Sequence, residues 1–195
     1  MNLLRKILSI FLIIVMSFNI TYAAEDESYT YDGPTLEEIK NMSMNESCGL
    51  TVEELEKGLL YDLKPLAKTY IEIEGYVKVN AVIKAAQDAL ESDWGRNCFK
   101  NNNISGFFTK NEFDSKSECI YFVSEKLHLW YLTPPEKCKC NMDECPVGQY
   151  YNGETIYDVS ISYCPTEKGG INEEYGDLVC EIAYQIYQRA LSKEV

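Results

Sequence analysis

The chain has 195 residues, enough for one ordinary domain with a real core once a leader is set aside. Its 31 acidic against 18 basic residues leave a net charge of −13. That balance argues against nucleic acid as a partner and against simple electrostatic adhesion to an anionic surface, since both draw on clustered Lys and Arg.

Residues 1–23 read as an export leader. Arg5 and Lys6 precede an apolar run over 7–18, too short for a stop-transfer helix, and Thr21 and Ala23 supply the small residues of a cleavage site after Ala23. An uncleaved anchor is the competing reading. Cleavage would deepen the charge from −13 to about −15 and leave a chain soluble outside the cytoplasm, with no stable membrane insertion. Residues 24–47 are expected to form a flexible, partly helical lead-in to a domain over 48–195. Thr35 with Glu38, and Thr51 with Glu54, have the spacing of capping boxes, which explains both glutamates structurally.

Residues 64–75 carry Leu66, Tyr70, Ile71 and Ile73 at helical spacing. After a break at 75–79, Asn80 is placed to cap a second helix whose Val82, Ala85, Ala86, Ala89 and Leu90 share one apolar face. Antiparallel packing would bury Leu66, Tyr70 and Ile73 against Val82, Ala86 and Leu90. The pattern breaks at Trp94-Gly95, and Asn101-Asn102-Asn103 followed by Gly106 reads as loop. Glu91 therefore falls where a buried helix meets a loop. A carboxyl there, beside a tryptophan, loses solvation and titrates high, as a general acid must. The competing reading is an ordinary solvated glutamate.

Residues 107–114 are aromatic and partly alternating, which predicts a short hairpin or extended lobe. Ser115 and Glu118 form a third capping-box pattern. The helix it opens carries Ile120, Val123, Leu127, Trp130 and Tyr131 as a core stripe, leaves His128 at the surface, and stops at Pro134-Pro135. Asn152-Gly153 signals a tight turn, residues 157–163 alternate weakly, and a last helix over 173–191 turns Leu178, Ile182, Ala183, Ile186 and Ala190 to the core. All eight cysteines lie beyond the leader, so disulfides are expected, with the pairing open and the Cys138, Cys140 and Cys145 loop stapled. One histidine and no paired CxxC motifs predict neither metal nor cofactor.

The strings Ala89-Leu90-Glu91-Ser92-Asp93-Trp94-Gly95 and Asn102-Asn103-Ile104-Ser105-Gly106 resemble the ALESGWG and NNLFG signature of the bacterial glucosaminidase domain, the family 73 glycoside hydrolases. Asp93 stands where that family has glycine, and Ser105 where it has an aromatic. The likeness runs from about Cys48 to Arg189 and is sharp only over 91–106. It implies a mostly α, lysozyme-like (α+β) fold with a small β-hairpin lobe beside a groove. It also implies a secreted, cell-wall-associated monomer that cleaves the β-1,4 bond after N-acetylglucosamine in peptidoglycan glycan strands. Such a glycan is read by hydrogen bonds and stacking, so the acidic charge is no obstacle. By the resemblance Glu91 is the general acid, Glu112 the best second carboxylate with Asp114 next, and Trp94, Asn102 and Tyr163 line the groove. A muramidase or lytic transglycosylase on the same fold, or an inactive glycan-binding protein, are the alternatives.

Overall fold

The computed structural model describes residues 29–107, 111–138, 145–167 and 169–194. The expected leader, residues 108–110 of the expected hairpin, and Cys140 lie outside them. Residues 31–193 form one compact unit, and the described part of the other unit is Tyr29, Thr30 and Glu194. The described residues are mostly helical. Their strands are the two-residue β1 (Tyr29–Thr30) and β2 (Lys193–Glu194), and residues 111–114 of the expected lobe form none.

The helices start where the side chains can satisfy their first amides. Thr35 opens α1 (Leu36–Lys40) and Thr51 opens α2 (Val52–Gly58), each with both arms of the capping box formed. A 3-10 turn (Tyr61–Leu66) leads into α3 (Ala67–Val77), and the Asn80 carboxamide accepts from the amides of Val82 and Ile83 to open α4 (Ala81–Ser92). Ser115 opens α5 (Lys116–Lys126) by accepting from Glu118 N, but the Glu118 carboxylate takes the amide of Asp114, one residue before the cap. The helix then widens into a π-helical segment (Leu127–Leu132).

Residues expected to alternate weakly are instead α6 (Ile156–Tyr163). The decisive local chemistry is a capping box, Thr155 with Asp158, which commits the segment to helix at its first turn. The last helix, α7 (Glu173–Leu191), has the expected bounds, but it buries Tyr175, Val179, Ala183, Ile186 and Tyr187 and leaves Leu178 and Ile182 only partly covered.

Within the compact unit α7 is the hub, packed by α4, α2, α1 and α6. Ile39 and Met44 are fully buried in the same core, so residues 31–47 belong to the body of the unit rather than to a separate lead-in. His128, expected at the surface, is half-buried, and burial lowers its pKa.

The expected α3–α4 packing is present, with Tyr70, Ile73, Val82 and Ala86 fully buried and Leu66 and Leu90 partly so. What periodicity did not foretell is that α4 is enclosed on every side. Residues 81–89 are all buried, including Lys84, Gln87 and Asp88. Charged groups tolerate that position only when paired and hydrogen-bonded, and these are.

Candidate functional site

Glu91 sits in the last turn of α4, and the chain leaves that helix by a forced route. Asp93, Trp94 and Gly95 take left-handed backbone angles in succession, with φ of 51°, 58° and 85°. Asp93 tolerates this because a short polar side chain suits the left-handed region. Its carboxylate is held by Arg96 at 2.7 Å and Asn97 at 3.2 Å. Gly95 has a further constraint, since a Cβ there would come 3.0 Å from Asp62 Cβ and Leu63 Cδ2. Ser92 closes the turn, donating to Asp88 O and accepting from Gly95 N. The end of the helix is thereby fixed, and Glu91 with it.

The loop that returns is built on two asparagines. The Asn103 amide donates to the carbonyls of Phe107 and Asn111, and the Asn102 amide to that of Phe113. This brings Gly106 (φ 61°) under the Glu91 carboxyl. A Cβ at Gly106 would lie 2.9 Å from Glu91 Oε2 and 3.3 Å from Phe99 Cε2, so carboxyl and ring flank the same bare Cα.

An aromatic wall from four segments borders this place. Tyr163, at the end of α6, stacks on Phe107 with ring centres 5.9 Å apart, and Tyr131 of the π-helical segment and Tyr175 of α7 pack beside it. The Tyr163 hydroxyl donates to Ser105 O at 3.0 Å. Burial raises the pKa of Tyr163 and Tyr175, and the nearby Glu91 charge adds to both.

Burial also pushes the Glu91 carboxyl up to about 7, with the Asp88 carboxylate adding to the rise and the Lys84 ammonium opposing it. The expectation of a high-titrating carboxyl at the end of this helix is met. Asp88 itself is 0% exposed and accepts from Lys84, Ser105 and Tyr70, so it is not placed to meet a substrate.

No protein-family model matches the chain, and no curated protein matches it significantly. The site therefore rests on its own geometry.

The other expected residues are distributed around Glu91 rather than gathered on it. Glu112 is exposed, 3.7 Å from Lys100, and lines an open polar cleft of about 830 Å³ together with Asn102, Phe99 and Arg96. Glu91 does not line that cleft. Asn102 spends its amide on the Phe113 carbonyl, so its first role is to shape the loop. Trp94 is half-buried against the core, with the Arg189 guanidinium 5.1 Å from its ring centre. Tyr163 lies near enough to Glu91 for the carboxylate charge to raise its pKa, and its hydroxyl bonds the Ser105 carbonyl. Among the described residues no group of three His, Cys, Asp or Glu side chains could hold a metal. No two described sulfurs lie at disulfide distance, although Cys138 and Cys145 approach to 2.9 Å.

Sequence reasoning missed Phe99 and the Lys84–Asp88 pair. Phe99 is an aromatic residue 42% exposed that belongs both to the flank of Glu91 and to the polar cleft. Two opposite charges four residues apart, inside a helix otherwise made mostly of small and apolar residues, were the available signal for the second.

Proposed function

We propose that the protein is a secreted peptidoglycan hydrolase, of lysozyme-like fold, that cleaves the β-1,4 bond after N-acetylglucosamine with Glu91 as general acid. The observation that carries this reading is the Glu91 carboxyl, raised to about 7 and resting on Gly106, whose bare Cα the Phe99 ring also flanks. Such a group is still half protonated at neutral pH, so it can pass its proton to the leaving glycosidic oxygen as the sugar gains oxocarbenium character. The Phe99 ring, 42% exposed, offers an apolar face on which a sugar ring stacks.

The second reading, a lytic transglycosylase or muramidase on the same site, has one observation in its favour. Glu112 is engaged with Lys100 in a cleft that Glu91 does not line, and Asp88 is consumed in the core, so one glutamate would serve as both acid and base. Turbidity loss of purified peptidoglycan, compared between the wild type and Glu91→Gln, tests both readings. The new chain end separates them, being reducing N-acetylglucosamine in the first case and anhydromuramic acid in a transglycosylase. Binding of glycan without turnover by either protein would replace them with a binding role.

A further inference from the structure

Behind Glu91 lies a polar cluster with no access to solvent. Lys84, Asp88 and Tyr70 are 0% exposed and Ser105 is 1% exposed. One carboxylate organises them. Lys84 Nζ donates to Asp88 Oδ1 at 2.5 Å and to Ser105 Oγ at 3.1 Å, Ser105 Oγ donates to Asp88 Oδ1 at 2.6 Å, and Tyr70 OH donates to Asp88 Oδ2 at 2.9 Å. The four come from α3, α4 and the return loop.

Two features tie the cluster to the site. Ser105 precedes Gly106, the residue on which the Glu91 carboxyl rests, and its carbonyl is the acceptor for Tyr163. Asp88 and Lys84 also lie three and seven residues before Glu91, on the same face of one helix, so the negative charge is one turn away and the positive charge two. An ion pair in this arrangement presents its negative end to Glu91.

We propose that Asp88 is a positioning residue for the reaction at Glu91: it fixes the Ser105–Gly106 turn under the Glu91 carboxyl and holds a negative charge one helical turn behind it. This rests on the hydrolase reading for its purpose, though not for its measurement. The titratable groups that face Glu91 are Asp88 and Lys84 from its own helix, Tyr163 and Cys164 from the end of α6, and Tyr175 from α7. Burial raises the two phenols and the thiol, so all three are neutral near pH 7 and the ion pair is the charged influence that remains.

The two charges make opposite predictions, which a merely structural pair would not. Titration of the Glu91 side-chain carbon by NMR in glutamate-labelled protein, with Glu91→Gln identifying the resonance, reads them without need of turnover. Asp88→Asn should lower the midpoint and Lys84→Met should raise it, each by about one pH unit. The alkaline limb of kcat/KM should follow in the same directions. Folded single variants whose midpoints stay put, or move together, overturn the proposal.

Either single change leaves a buried charge unpaired and can unfold the chain. The double variant Asp88→Asn with Lys84→Met removes both charges and is then decisive. Because Asp88 lies one helical turn from Glu91 and Lys84 two, the midpoint of the double variant should fall below that of the wild type. An equal or higher midpoint, or a double variant that does not fold, counts against the proposal. Wild-type protein that titrates as expected yet cleaves no glycan removes the hydrolase reading and leaves the positioning result standing. Active enzyme with unshifted midpoints does the reverse.

Discussion

The Glu91 carboxyl rests on the bare Cα of Gly106, and a methyl group there would stand 2.9 Å from Oε2. Gly106→Ala would combine that clash with a left-handed backbone (φ 61°) that alanine adopts reluctantly. We expect a loss of about 1–3 kcal/mol in stability from the strained backbone and crowding. A larger fall in hydrolysis than thermal melting accounts for should accompany it. Activity per folded molecule at the wild-type level would show that Glu91 does not depend on this contact.

Glu91 also makes stability depend on pH in a direction opposite to most carboxylates. Its pKa stands at about 7 in the folded chain against an ordinary 4.5, so between those values the folded state binds more protons than the unfolded one. Stability therefore falls as pH rises from about 4.5 to 7, by roughly 3 kcal/mol at 1.36 kcal/mol per pH unit. Glu91→Gln should recover most of that at pH 8 and nothing at pH 4, measured as the difference between urea midpoints at each pH. A constant difference would mean that Glu91 titrates normally. Activity should decline above pH 7 as the acid loses its proton.

Phe99 offers a substitution that separates binding from fold. Its ring is 42% exposed, so Phe99→Ala should leave the melting temperature within a degree or two while KM for a soluble glycan rises several-fold. An unchanged KM would show that the ring beside Glu91 does not touch substrate.

Ala85 and Ala86 are both fully buried where α4 is enclosed by α3 and α7. Ala86→Leu should cost about 1–3 kcal/mol by overpacking, seen as a lowered urea midpoint with an unchanged slope. A stability equal to wild type would mean that space exists around α4 for a larger side chain.

What could be read from the sequence was what local chemistry decides. Thr35, Thr51 and Asn80 cap the helices they were expected to cap because both partners lie within three residues. Glu91 was likewise legible, as the polar residue that ends a small-residue helix before a loop of asparagines and glycine. Residues 157–163 misled because their weak alternation drew attention away from the Thr155–Asp158 box. The cluster around Asp88 was out of reach for a different reason. Its partners Tyr70 and Ser105 lie 18 and 17 residues away along the chain, and only the closed loop shows that Lys84 and Asp88 face inward.

The burial of Lys84 bears finally on how the site can form. Its ammonium gives up water only when Asp88 and Ser105 are already there to receive it, and Asp88 in turn calls on Tyr70 from α3. Opening the return loop strands a charge in the interior, so the loop and α4 should exchange their amide hydrogens as one cooperative unit with a high opening energy. A chain built this way has few partly assembled states in which Glu91 is exposed but misaligned: the acid is either in place or the core around it is undone.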